Sequence, residues 1–165
     1  MKILVFNCGS SSLNYKVFDI NNNDFTPVIY GKAHRVGVTG TQGSFIEHYH
    51  NGRHQVVQVA LSDHRLAAQL ILEFLKSKAI NLDSVGHRFV HGGNLFRQSV
   101  LITPPILIKL ESCLPLAPIH NPNSLNVIHI CQQTLPGIPE FATFDTAFHS
   151  TLPPEAYTYP LPVLL

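Results

Sequence analysis

Strand-like runs crowd the first part of the chain, and no helical periodicity appears before Ser62. Ile3 to Phe6 is a short continuous apolar run closed by the turn signal Asn7-Cys8-Gly9-Ser10-Ser11-Ser12, and it reads as a buried strand. Leu13 to Ile20 alternates with the period of two of a half-buried strand. The Asn21-Asn22-Asn23-Asp24 tract reads as a loop. Val28 to Val38 predicts a third strand. Ser44 to Tyr49 and Gln55 to Leu61 predict a hairpin about Asn51-Gly52, a dipeptide suited to a type I′ turn. Adjacent strands joined by short turns must pair antiparallel.

From Ser62 the pattern changes. Ser62 is placed to cap a helix, with Asp63 near the positive end of its dipole. Leu66, Leu70 and Phe74 follow at helical spacing, and the helix should end near Lys78 or Ala79. Ser84 to Val90 predicts a strand. Pro104-Pro105 starts a helix reaching about Cys113, because proline is tolerated in a first turn. Asn121 initiates a further helix over Pro122 to about Gln133, and Phe141 to Phe144 is a strand ending at Asp145. The proline-rich tail from Pro153 should be irregular. Strands alternating with helices imply parallel pairing, so the whole is expected to be one α/β domain with a mixed sheet and helices on its faces.

Composition removes several functions. Lys and Arg number 11 against 10 Asp and Glu, a net charge of +1, which argues for no nucleic acid partner and no polybasic membrane contact. Only four apolar residues, Ile3 to Phe6, follow Met1-Lys2, whereas a signal peptide needs a core of about 7–15. The Leu66–Leu75 stretch is broken by Gln69 and Glu73, and a span needs about 20 apolar residues, so no membrane segment is expected. The three cysteines form no C-x-x-C pair and read as reduced thiols in a cytoplasmic protein.

Four segments carry chemistry. In Asn7-x-Gly9-Ser10-Ser11-Ser12, glycine permits close backbone approach. The N–H and hydroxyl groups that follow can face a phosphate or a hydrated metal ion; the alternative is a polar hairpin tip. In Gly86-His87-Arg88-Phe89-Val90-His91-Gly92-Gly93, an arginine lies in an otherwise apolar strand and needs an anion, either a bound ligand or a structural carboxylate. His87 and His91 would stand about 13 Å apart on a strand, too far to share a metal ion. Asp145 ends a buried strand, where ligands of α/β folds gather, and can bind Mg²⁺, orient a nucleophile or cap the following turn. Ala117-Pro118-Ile119-His120-Asn121-Pro122 is a rigid turn with Asn121 as helix cap, from which His120 can reach a site.

Together and in this order, these segments resemble the acetate kinase family. The family pattern Asn-x-Gly-Ser-Ser-Ser-x-Lys is seen at Asn7 to Asn14, and Gly-His-Arg-x-Val-His-Gly-Gly at Gly86 to Gly93. Ala-Pro-Leu-His-Asn-Pro matches Ala117 to Pro122 with Ile119 for Leu, and Phe-Asp-Thr-Ala-Phe-His matches Phe144 to His149. The resemblance implies phosphoryl transfer between ATP and acetate, giving ADP and acetyl phosphate, with Mg²⁺. It implies a ribonuclease-H-like sheet of order 3-2-1-4-5. By the same resemblance, Asn7 contributes to the Mg²⁺ site, with Ser10 and Ser12 beside it at the phosphates. Arg88 binds the carboxylate or the transferring phosphoryl group, and Asp145 matches an aspartate assigned to proton transfer. Val90 and Ile119 wall the methyl pocket, and His120 lies near.

Two departures qualify the expectation. Asn14 stands where the family has Lys, with Lys16 two residues on and so on the same strand face, about 6.6 Å away. The family also continues into a second, nucleotide-binding domain with no counterpart here, so residues 1–165 are expected to be an N-terminal domain, inactive alone. Other readings are an inert anion-binding or partner-binding module, completed by a separately encoded C-terminal half, and a propionate kinase. The apolar tail set Phe148, Tyr157, Tyr159, Leu161, Val163, Leu164 and Leu165 predicts a homodimer.

Overall fold

Alternation in the sequence becomes sidedness in the sheet. A computed structural model describes residues 1–165 except 22–24, 41–42, 159 and 161–165. Most of the Asn21–Asp24 tract and most of the apolar tail set therefore lie outside the described residues. Among the described residues, one sheet holds eight strands: β1 (Lys2–Cys8), β2 (Ser12–Asp19), β3 (Pro27–His34), β4 (Phe45–His50), β5 (Arg53–Gln58), β6 (Ser84–Phe89), β7 (Val100–Leu101) and β8 (Glu140–Phe144). Their order is β5-β4-β3-β2-β1-β6-β8-β7. The hairpin strands pair antiparallel, whereas β1 with β6 and β6 with β8 are parallel. The central run β3-β2-β1-β6-β8 is the expected 3-2-1-4-5 order. The β4–β5 hairpin extends one edge and β7 the other, so the sheet is wider than expected.

The long helices α1 (His64–Ser77), α2 (Pro104–Ser112) and α3 (Asn121–Thr134) share one face of the sheet. Leu4, Phe6, Leu13, Val17, Ile29 and Val85 meet Ala67, Ala68 and Ile71 of α1 and Val127 of α3 in the main core. Phe89, Ala142 and Phe144, on that same face, form a second core with Phe96, Leu110 and Ile128. The residues between them on each strand, including Asn7, Asn14, Lys16 and Arg88, project from the opposite face. Gly31 makes room within the sheet: a Cβ there would stand 2.1 Å from the Glu47 carbonyl and 2.7 Å from the Tyr15 ring. Buried Tyr15 instead hydrogen-bonds through its hydroxyl to His48 Nδ1 at 2.7 Å.

Several local expectations are revised. The cap of α1 is Asp63, not Ser62: its carboxylate accepts from the Leu66 N–H at 2.9 Å, one residue closer to the first turn. β3 stops at His34 because Arg35 turns left-handed at φ 56°. Asn121 does not cap α3; its side chain is spent elsewhere, and His120 occupies the cap position without a side-chain bond. β7, two residues long, gives no periodic signal in the sequence. The tail contains one helical turn, α4 (Pro154–Tyr157), rather than irregular chain, consistent with proline at a first helical position. Among the described residues, no helix is long and apolar enough to cross a membrane.

Candidate active site

Parallel pairing of β1 with β6 sets Phe6 opposite His87. The next residue of each strand, Asn7 and Arg88, therefore projects side by side from the open face. β6 also pairs with β8, setting Phe89 opposite Phe144 and bringing Asp145 alongside. These three side chains meet. Arg88 Nε donates to Asp145 Oδ1 and Oδ2 at 2.9 and 3.1 Å, and Nη2 donates to Oδ2 at 2.5 Å. Arg88 Nη1 donates to Asn7 Oδ1 at 3.0 Å. The carboxylate lifts the Arg88 pKa further, chiefly through these hydrogen bonds and against some desolvation. Side-chain exposures of 37% for Arg88 and 42% for Asp145 leave both within reach of a ligand.

The Ser10–Ser12 turn lies beside this trio and is held from beneath. Gly9 N donates to Ser12 O at 2.8 Å. A Cβ on Gly9 would meet Ser12 Oγ at 2.8 Å, so the turn is drawn tight around a residue without a side chain. Buried His64, the first residue of α1, points Nε2 at Gly9 O and Ser12 O, at 3.0 and 3.3 Å. Those carbonyls only accept, so Nε2 carries a proton, and burial lowers the His64 pKa toward the neutral form. Ser10 is exposed and Ser12 half-buried.

Asn14 sits across β1 from Asn7 and across β3 from Lys32. Lys16 lies one pleat further, opposite Val5 and Tyr30. The cation nearest in register to Asn14 is thus Lys32, which only strand pairing reveals. Both lysines line a shallow cavity of about 390 Å³ with Asn14 and Glu47.

The remaining predicted residues occupy loops at the same end of the sheet. Val90 follows β6 and is half-buried; Ile119 is 65% exposed; His120 precedes α3 with its Nδ1 buried and without a partner. Asn121, fully buried, ties these loops together. Its Nδ2 donates to His91 O at 3.0 Å and Cys113 O at 2.7 Å, and its Oδ1 accepts from His91 N at 3.3 Å. Gly92 N donates to Thr146 Oγ1 at 3.1 Å, joining the β6 loop to the turn after β8. A Cβ on Gly92 would stand 2.7 Å from the Phe144 ring and 2.8 Å from Phe96 Cβ, so only glycine fits. Beyond Gly93, His91, Arg97, Thr146 and His149 border a cavity of about 610 Å³. Sequence reasoning missed His64, Asn121 as a clamp and Thr146. Their bonds span 55, 30 and 54 residues, beyond any local pattern.

The arginine thus lies beside a serine turn at the strand ends of a mixed sheet of the sugar-kinase and actin type. Residues 2–165 match the acetokinase family, and the chain belongs to it. Curated acetate kinases of Caldanaerobacter subterraneus and Thermoanaerobacter pseudethanolicus are 46% and 44% identical over 98% of this chain. Each alignment covers 41% of the relative, so the chain spans about two-fifths of their length. The crystal structure of an Entamoeba histolytica acetate kinase superposes with a TM-score of 0.84 at 43% identity, over 99% of this chain and 40% of that one. A propionate kinase from Francisella tularensis superposes at 0.86 with 33% identity, over 98% and 41%.

Proposed function

We propose that residues 1–165 form the acyl-substrate half of a kinase that converts ATP and acetate into ADP and acetyl phosphate. The observation that carries this reading is the Arg88 fork. A guanidinium has five N–H groups. Asp145 and Asn7 engage three of them, on Nε, Nη2 and Nη1. Two remain for an oxyanion, and the planar geometry fits a carboxylate or a phosphoryl group.

Acetate at neutral pH is already ionised, since a simple carboxylic acid titrates near about 4.3. Its oxygen can attack the γ-phosphorus without a base as the bond to ADP breaks. Asp145, bound to Arg88 through both oxygens, acts in this reading as a positioning residue rather than as the proton-transfer group. Arg88 neutralises charge on the acetate or on the phosphoryl oxygens during in-line transfer. Val90 and Ile119 would wall the methyl group, with His120 nearby, and Ser10 and Ser12 would meet the phosphates beside Asn14.

The donors near the turn fit Mg²⁺, which takes hard oxygen ligands and keeps much of its water. Asn7 Oδ1 and the hydroxyls of Ser10 and Ser12 are such donors, and Asn7 Oδ1, already accepting from Arg88, suits contact through water. When bound, Mg²⁺ supplies charge neutralisation on the nucleotide phosphates.

The test joins this chain to the C-terminal part of the Caldanaerobacter acetate kinase and follows acetyl phosphate as its hydroxamate. Turnover is expected in the fusion, none in the chain alone, and a loss of at least a hundredfold with Arg88→Ala. A folded but inert fusion, or an Arg88→Ala fusion of undiminished rate, would overturn the reading.

Asn14 at the family's lysine position favours a second reading, an anion-binding module whose partner is a separately encoded C-terminal half or a second copy. Phosphate shifting the NMR signals of Gly9 and Ser10 without turnover in any fusion would select it. The match to a propionate kinase keeps propionate as a rival substrate, which the same fusion assay compares directly with acetate. The buried free thiols of Cys8, Cys113 and Cys131 suit a cytoplasmic setting.

A further inference from the structure

On the covered face, directly behind Arg88, three donors of different chemistry converge. His87 of β6, Cys131 of α3 and Glu140 of β8 are all buried, with ligand atoms within 4.8 Å of one another. His87 Nε2 and Glu140 Oε2 are 2.7 Å apart. We propose that these three residues form a buried site for a thiophilic divalent cation of the Zn²⁺ class.

The donor set selects the ion. Thiolate and imidazole favour Zn²⁺ and its neighbours over Mg²⁺, so this site is chemically separate from the oxygen donors around Asn7. Bonds of about 2.3 Å to sulfur and 2.0–2.2 Å to nitrogen and oxygen place tetrahedral ligands about 3.4–3.7 Å apart. The His87–Glu140 pair must therefore open by just under ~1 Å, and no other separation need close by more than roughly 1.4 Å, within the reach of side-chain adjustment. Charge favours occupation: a thiolate, a carboxylate and a divalent cation sum to zero, which a dry interior tolerates far better than a single buried charge. The three ligands sit on three different elements, so each is held by its own backbone. Glu140 lines a cavity of about 150 Å³, with Gln132, Leu135, Gly137 and Ile102, between the end of α3 and the start of β8. Three protein ligands leave the fourth tetrahedral position open, the ligand count of zinc sites that are not closed by four protein donors.

The probe is Co²⁺, titrated into chelator-stripped protein and then displaced by Zn²⁺. A thiolate-to-cobalt charge-transfer band saturating at one equivalent is expected. Millimolar Mg²⁺ should leave it unchanged, and Cys131→Ala should abolish it. Glu140→Gln keeps the shape and a hydrogen-bonding partner for His87, so it should fold; it is expected to retain the band and weaken affinity about tenfold or more. Absence of the band in the unsubstituted protein overturns the proposal. So does an equal band in Cys131→Ala, which would assign the metal to Cys8 or Cys113. If Cys131→Ala does not fold, Glu140→Gln decides: unchanged affinity refutes the site.

Discussion

Arg88 and His87 are neighbours on one strand, yet they occupy opposite electrostatic settings. Arg88 projects from the open face and keeps spare N–H groups within reach of solvent. His87 projects into the covered face, where Glu140 is its hydrogen-bonded partner and water is excluded. The same alternation that buries a core thus sorts polar groups by purpose. On the open face a charge can exchange one partner for another at modest cost. On the covered face each polar group must be matched within the protein, because an orphan there forfeits its hydration. Damage to the two faces should consequently appear in different measurements.

The largest effect is expected from His87→Ala, which leaves the Glu140 carboxylate buried without its partner. A loss of about 3–5 kcal/mol in urea unfolding is expected; a loss below about 1 kcal/mol would show that the two faces do not differ as described. Gly92→Ala comes next. Its Cβ must displace the Phe144 and Phe96 side chains, and overpacking of that kind costs about 1–3 kcal/mol. A variant as stable as the parent would mean that the second core yields easily.

The covered face also predicts a pH dependence. Burial lowers the His48 pKa from 6.5 to about 4. The unfolded state then binds more protons than the folded state between those values. Stability is complete above about pH 6.5 and declines as pH falls toward about 4, by roughly 1–2 kcal/mol after allowing for solvent near the hairpin. Urea unfolding at pH 7 and pH 4.5 should show this difference, and His48→Gln should flatten it. The smallest stability change belongs to the open face. Arg88→Ala should alter unfolding by no more than about 1 kcal/mol, since its ion pair is exposed. The same variant should abolish the phosphate-induced NMR shifts at Gly9 and Ser10. A large stability loss without any change in anion response would reverse the assignment of the two faces.

A continuous apolar run marked β1 and period-two alternation marked β2, and the isolated arginine in the otherwise apolar Ser84–Val90 run announced that Arg88 needed an anion. Its meeting with Asp145 and Asn7 follows once β1, β6 and β8 are known to be neighbours. What stayed hidden depends on contacts distant in sequence. Asn121 looked like a helix cap because asparagine commonly is one, but two loops compete for its amide. Ser62 and Asp63 are both competent caps in adjacent positions, and only the backbone entering α1 decides between them. Lys32 carries no local signal at all; it becomes relevant through the β2–β3 register that sets it across from Asn14.

The central position of β1 bears on how the chain acquires its structure during synthesis. One flank of β1 meets β2 through a tight turn, a contact available almost as soon as both segments leave the ribosome. The other flank waits for β6, and Asn7 and Arg88 are 81 residues apart. At about 5–20 residues per second, that interval lasts roughly 4–16 s. Throughout it β1 is an unpaired edge beside a nearly complete meander, available to any passing strand. The nascent meander is therefore the stage at which chaperone capture or mispairing competes with folding, and emergence of the Arg88 strand ends that exposure.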